Sequence, residues 1–213
     1  MENKAFDVVY VKAKNNKDYL VRNLPDKEKA ATLLGNMNDK LDTLIDYIKS
    51  KDTFHMYKMY VVRNNEIQLD KLSKTQKQEY HIFKEDIKRI VSNYNSDALS
   101  ENTPDSSYTS YSENKGQKIV FCLRAKKTNK LVNLNTMTFV ALHEMAHLMT
   151  KTIGHHPEFW ENFRILLRIS IRNGIYQCQD YQIDSEYYCG TEITDTPLKL
   201  SLIHISEPTR LGM

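Results

Sequence analysis

The chain has 213 residues, of which 40% are hydrophobic and 27% charged, with 6 glycines and 5 prolines. At roughly 150 residues per domain this allows one globular domain and excludes a multi-domain machine, a disordered chain and a turn-rich sandwich. Lys and Arg total 30 against 27 acidic residues, a net charge of +3 that is too small to mark a nucleic-acid binder by itself. The three cysteines, Cys122, Cys178 and Cys189, include no C-x-x-C pair, so neither a disulfide framework nor a zinc ribbon is expected and a reducing, intracellular compartment follows. The N-terminus lacks a secretory apolar core, and no run approaches the ~18 apolar residues of a membrane helix. A soluble, unsecreted protein without membrane contact is expected.

In chain order, Phe6 to Lys12 and Asp18 to Asn23 are rich in Val and Tyr and flank Asn15-Asn16, which predicts a β-hairpin. After Pro25-Asp26, the residues Ala30, Leu33, Leu34, Met37, Leu41, Leu44, Ile45 and Ile48 recur at spacings of three and four, predicting an amphipathic helix that ends near Lys51. A short apolar patch, Met59 to Val62, precedes a second helical pattern over Gln76 to Asn93 through Tyr80, Phe83, Ile87, Ile90 and Val91. Ser96 to Ser107 is polar, contains Pro104 and reads as a loop. Tyr108 to Ser112 and Lys118 to Arg124 then flank Gly116, whose freedom at positive φ suits the turn of a second hairpin. Asn135 is placed to cap a helix running from Thr136 to about Ile153, and Pro157 to start another over Glu158 to Arg172.

The whole reads as one α+β domain over 1–199, with an N-terminal part over 1–95 and a core over 107–197. The last segment is set aside. Leu200 to Arg210, L-S-L-I-H-I-S-E-P-T-R, matches the translation of a transposase-type sequencing-library adapter codon for codon, so 200–213 is read as a non-native tail, His204 is no candidate ligand, and the natural C-terminus is expected beyond Lys199.

The helix after Asn135 is apolar on nearly every face, through Met137, Phe139, Val140, Ala141, Leu142, Met145, Ala146, Leu148 and Met149, and so should be buried all round. Yet His143, Glu144 and His147 sit in its middle, and burying three ionisable groups costs several kcal/mol unless they are paired or bind a metal. The pattern is H-E-x-x-H. Histidines four apart project from one face and can hold one cation, Zn²⁺ being suited to imidazole, while the intervening Glu144 stands beside the open position as a general base for water. That is peptide-bond hydrolysis chemistry. For the third ligand His155, beyond a chain reversal at Gly154, is favoured over His156, with Glu158 or Glu161 as carboxylate alternatives. His55 and His81 receive no role.

His143-Glu144-Met145-Ala146-His147 followed by Gly154-His155-His156-Pro157-Glu158-Phe159-Trp160 resembles the SprT-like and WLM metalloproteases, the group that includes the Spartan-type proteases of DNA–protein crosslink repair and versions in large DNA viruses. Tyr108 to Tyr111, Lys118 to Arg124 and Tyr188 to Thr194 look like the viral relatives, so the resemblance covers about Ser107 to Pro197. It implies a zincin-like domain whose small antiparallel sheet packs on the H-E-x-x-H helix. It further implies His143, His147 and His155 as zinc ligands and Glu144 as catalytic base of an endopeptidase, with DNA-bound or DNA-crosslinked proteins among its substrates. His156 stands where the family's G-H-G-P-E-F has its second glycine, which keeps both histidines in play. No zinc ribbon, ubiquitin-binding module or SUMO-binding motif is seen, so the repair role rests on analogy.

Arg164, Arg168 and Arg172 form a stripe that could grip DNA phosphates or be an ordinary solvated face, and Lys126, Lys127 and Lys130 could extend it. The strand before the catalytic helix offers an edge for an extended peptide, with Tyr108 and Tyr111 near it, and Tyr187 or Tyr188 is a candidate for oxyanion stabilisation. The rival reading is a non-catalytic, zinc-stabilised module that binds DNA or a protein partner.

Overall fold

A computed structural model describes residues 7–103, 106 and 109–198; Phe6, Pro104, Tyr108 and the tail over 200–213 lie outside them. The first hairpin forms as expected. β1 (Val8–Lys12) and β2 (Asp18–Arg22) pair antiparallel from Val8↔Arg22 to Lys12↔Asp18. α1 (Lys27–Ser50) buries the three- and four-spaced residues Ala30, Leu34, Met37, Leu41, Leu44, Ile45 and Ile48, and Gly35 lets it lie close to the hairpin, since a Cβ there would sit 3.0 Å from that of Ala13. α2 (Thr53–Met56) continues into a wide π-type turn over Tyr57–Val62, which takes up the apolar patch. α3 (Lys74–Asn93) begins two residues before the expected start because Ser73 and Gln76 form a reciprocal capping box.

The sheet differs from expectation. β3 (Leu99–Glu101), β4 (Ser110–Glu113) and β5 (Lys118–Phe121) join the first hairpin in one five-stranded sheet of order β1-β2-β3-β5-β4. β3 runs parallel to both β2 and β5, so the small sheet is mixed rather than antiparallel. β3 lies within the segment expected to be a loop, because three residues show no alternation and Glu101 is buried only by virtue of a distant partner. That partner is Arg124, whose Nε donates to Glu101 Oε1 at 2.8 Å and whose second nitrogen donates to Asp26 at 2.7 Å.

α4 (Leu134–Met149) is wrapped by α1, α3, α5 (Pro157–Arg172) and the sheet, as its all-round apolarity requires. Its cap is Asn133, whose Oδ1 accepts from the backbone N–H of Asn135. Asn135 itself is engaged elsewhere, exchanging two hydrogen bonds with the backbone of Gln177. The helix ends four residues before the expected Ile153, since Thr150 is extended. β6 (Glu186–Tyr188) and β7 (Thr191–Ile193) form a separate two-stranded hairpin.

Cys122 and Cys189 are joined in a disulfide across 67 residues of sequence, with Cα atoms 6.1 Å apart, leaving Cys178 free. This corrects the expectation of unpaired cysteines and removes the cysteine argument for a reducing compartment. The pairing was invisible because only the fold brings the end of β5 to the β6–β7 turn. No helix among the described residues is long and apolar enough to cross a membrane.

Candidate metal centre

Four residues apart on α4, the rings of His143 and His147 meet edge to face with centroids 5.0 Å apart. After Thr150 the chain swings out and Gly154, at φ +94°, turns it back, which delivers His155 so that its Nε2 lies 3.0 Å from His143 Nε2. One ring nitrogen from each of the three histidines lies within 4.8 Å of the others, close enough to hold one metal ion. Phe159, fully buried on the first turns of α5, is the platform under all three, its centroid 4.8, 4.4 and 4.6 Å from His143, His147 and His155.

The other ligand candidates are drawn away from the cluster. His156 is the exposed cap position of α5, its ring lying over Gly154. Glu158 grips the returning loop instead, accepting from Lys151 N–H and Thr152 Oγ1 at 3.2 Å each, and Glu161 pairs with Arg164. From the β4–β5 turn, Lys115 Nζ donates to the carbonyls of Thr150 and Lys151 at 3.2 and 2.9 Å, satisfying acceptors left open at the end of α4.

Burial, with the neighbouring His147 and His155, pulls the His143 imidazole down to about 3. Burial, then His155 and Lys115, pulls His147 down to about 4. Both rings are therefore neutral near pH 7, with lone pairs free to bind a cation. A set of three imidazole nitrogens facing one another fits a borderline-soft ion such as zinc with one position left over. Glu144, 5% exposed, has its carboxyl pushed up to about 7 by burial alone.

These groups line a cleft of about 780 Å³. One wall is α4. A second is β4, the outermost strand of the sheet, and its register matters: Cys122 N–H donates to Thr109 O at 2.9 Å while Tyr111 lies opposite Val120. Ser110 and Ser112 are thus the non-bonded positions of the pair, whose N–H and C=O groups point away from β5. The β6–β7 hairpin supplies Tyr188, Thr191 and Ile193 as the third wall. Tyr188 is 2% exposed, its hydroxyl shares a 2.8 Å hydrogen bond with Ser110 Oγ, and burial together with the charge of Glu144 raises its pKa against the lowering effect of Ser110. Tyr187 is 68% exposed and does not line the cleft, whereas Tyr111 does.

No described protein family and no solved structure matches the chain. Uncharacterized protein R325 of Acanthamoeba polyphaga mimivirus is 35% identical over 192 residues, which is 89% of this chain and 84% of that protein. The chain belongs to its family. Uncharacterized protein 042R of Invertebrate iridescent virus 3 is 38% identical over 68 residues, 32% of this chain and 42% of that protein. Both relatives are viral.

The arginine stripe is engaged mostly with the protein's own fold. Arg164 Nε donates to Pro197 O at 3.0 Å, Arg168 donates to Tyr60 O at 3.0 Å, and Arg172 is exposed. His55 and His81 are exposed and away from the cleft. Sequence reasoning missed Phe159 as a platform, Lys115 and Glu158 as anchors of the loop, and Ile193 and Val140 as cleft walls. Glu158 and Phe159 were within reach, since they follow His155 and His156 directly; Lys115 and Ile193 reach the site only through the sheet and the hairpin.

Proposed function

We propose that the protein is a zinc-dependent endopeptidase of zincin-like architecture that hydrolyses peptide bonds in protein substrates, DNA-bound or DNA-crosslinked proteins among them. The observation that carries the reading is the convergence of His143, His147 and His155 beside the buried carboxyl of Glu144, at the floor of a cleft edged by an open strand. His143, His147 and His155 would hold the ion. When bound, zinc supplies a Lewis acid that acidifies water and polarises a carbonyl.

The chain's own groups do the rest. The outward N–H and C=O groups of Ser110 and Ser112 orient an extended peptide as an added strand. Glu144 Oε accepts the proton of the attacking water and passes it to the leaving amine nitrogen, and its pKa near neutrality suits both transfers. The Tyr188 hydroxyl, held by Ser110, would donate to the oxygen that becomes negative as the carbonyl is attacked. The DNA-linked part of the proposal rests on the resemblance to SprT-like and WLM proteases. The rival, a zinc-stabilised binding module using the arginine stripe, is disfavoured by the internal partners of Arg164 and Arg168.

The test is zinc content of the full chain beside His143→Ala, His155→Ala and His156→Ala, followed by hydrolysis of an unfolded protein with and without single-stranded DNA. One zinc per chain, lost with His143 and His155 and kept in the His156 variant, is expected. Glu144→Gln should lower hydrolysis by about 10³-fold with zinc retained; full activity in that variant would overturn the mechanism.

A further inference from the structure

The β6–β7 hairpin has three residues per strand and no strand pairing with the five-stranded sheet, and two-stranded hairpins are marginal by themselves. It nevertheless forms a wall of the cleft through Tyr188, Thr191 and Ile193. Its turn is Cys189-Gly190, both at positive φ, 54° and 88°. The turn region is held to the body by the Tyr188–Ser110 hydrogen bond, by Cys189 Sγ lying 3.3 Å from Arg124 O, by the side chain of Lys126 lying across Gly190, and by the disulfide from Cys189 to Cys122. Cys122 follows β5 directly and donates its N–H to Thr109, so the disulfide fastens the hairpin to the same strand pair that carries the open edge of β4.

We infer that the Cys122–Cys189 disulfide is a thiol-sensitive tether that holds the β6–β7 wall against the cleft, so that its reduction weakens substrate binding while leaving the metal ligands in place. The substrate part rests on the hydrolytic reading; the tether does not. None of the three histidines lies on the hairpin, and their positions are set by α4, Phe159 and the Glu158 grip, which is why the metal should stay.

The two sulfurs differ in access. Cys189 is 1% exposed, whereas Cys122 is half-buried and lines a small cavity of about 120 Å³ together with Arg22, Arg124 and Lys126. Glu101 also lines this cavity but is paired with Arg124, which leaves Arg22 and Lys126 as the cations that favour approach of a thiolate. A cellular monothiol attacks Cys122 as its thiolate, forming a mixed disulfide; the electron pair of the protein S–S bond leaves on Cys189, which takes a proton. A second thiol then attacks the outer sulfur, giving the oxidised disulfide of the small thiol and a Cys122 thiol. Two small thiols are oxidised and one protein disulfide is reduced.

The experiment compares the full-length protein before and after exposure to reduced glutathione, with a Cys122→Ser/Cys189→Ser variant alongside. Alkylation under denaturing conditions should count one free thiol, Cys178, before treatment and three after. Amide exchange over Tyr187–Ile193 should quicken by about tenfold on reduction and in the double variant, with exchange in α4 and zinc content unchanged. For a peptide substrate, kcat/KM should fall by about tenfold, with KM and kcat both moving because Tyr188 rides on the hairpin. Three titratable thiols in the never-reduced protein, or unchanged exchange in the hairpin after reduction, would overturn the tether. If no hydrolysis is found in either state while exchange responds, the tether stands and the hydrolytic reading falls. If the double variant does not fold, the wild-type pair of redox states decides alone.

Discussion

Arg124 and Glu144 are both buried, at 3% and 5% exposure, yet the fold treats them in opposite ways. Around Arg124 the chain gathers Glu101, Asp26 and the carbonyl of Asn129. The same holds for Asn38, which is bonded to Tyr19, Tyr94 and Ser96, and for Asp86, which meets Arg89 and Asn162. Glu144 is acted on by burial alone, and the histidines beside it face one another rather than carboxylates. The fold gives Arg124 three partners, although its Nη2 is buried without one, whereas the three cleft histidines turn their ring nitrogens toward one another. That difference carries a stability penalty at the centre, which the networks elsewhere must offset.

The comparison can be broken most sharply at its satisfied end. Arg124→Ala leaves Glu101 as an unpaired buried carboxylate and should destabilise the protein by about 3–5 kcal/mol, read from urea unfolding. At the other end a polar deletion should do the reverse. In the metal-free protein the Glu144 carboxyl titrates near 7 when folded against 4.5 as its ordinary value. The folded state therefore binds the extra proton between those values, and stability falls as pH rises through that window. Glu144→Gln removes this loss, so the variant should equal the wild type below pH 4.5 and gain up to about 3 kcal/mol above pH 7. A constant difference across pH would show that the carboxyl is not desolvated.

The histidines act with the opposite sign. Their folded pKa values of about 3 and 4 lie below the ordinary 6.5, so metal-free protein should lose stability as pH falls from about 6.5, and a His143→Ala variant should show a shallower decline in thermal unfolding. Further from the centre, Glu158→Gln loosens the loop that returns His155 and should weaken zinc about tenfold in chelator competition, with the fold unchanged. The smallest effect separates the arginines. Arg168→Ala should cost about 1 kcal/mol through its lost bond to Tyr60 O, while Arg172→Ala should stay within about 0.5 kcal/mol.

Much of the secondary structure was legible because helix periodicity and capping are local. α1 and α3 follow from their three- and four-residue spacing, and the burial of α4 follows from apolar residues on every face. His143 and His147 could be paired on paper because four residues make one helical turn. β3 was not legible, since Leu99–Glu101 is stabilised by two parallel neighbours far off in sequence, and the cap of α4 was misplaced because Asn135 had a better partner in Gln177. The tail over 200–213 was read from its resemblance to an adapter and lies outside the described residues.

By itself the sequence determined the α+β composition, the helices and an H-E-x-x-H face, all of which depend on neighbours within a few residues. Tertiary structure alone decided that His155 and not His156 joins that face, because the turn at Gly154 and the platform of Phe159 set which ring returns. It also decided that Cys122 meets Cys189, and that Arg164 and Arg168 are held by backbone carbonyls of distant segments. Each of these depends on where remote parts of the chain are packed, and residue spacing does not encode that.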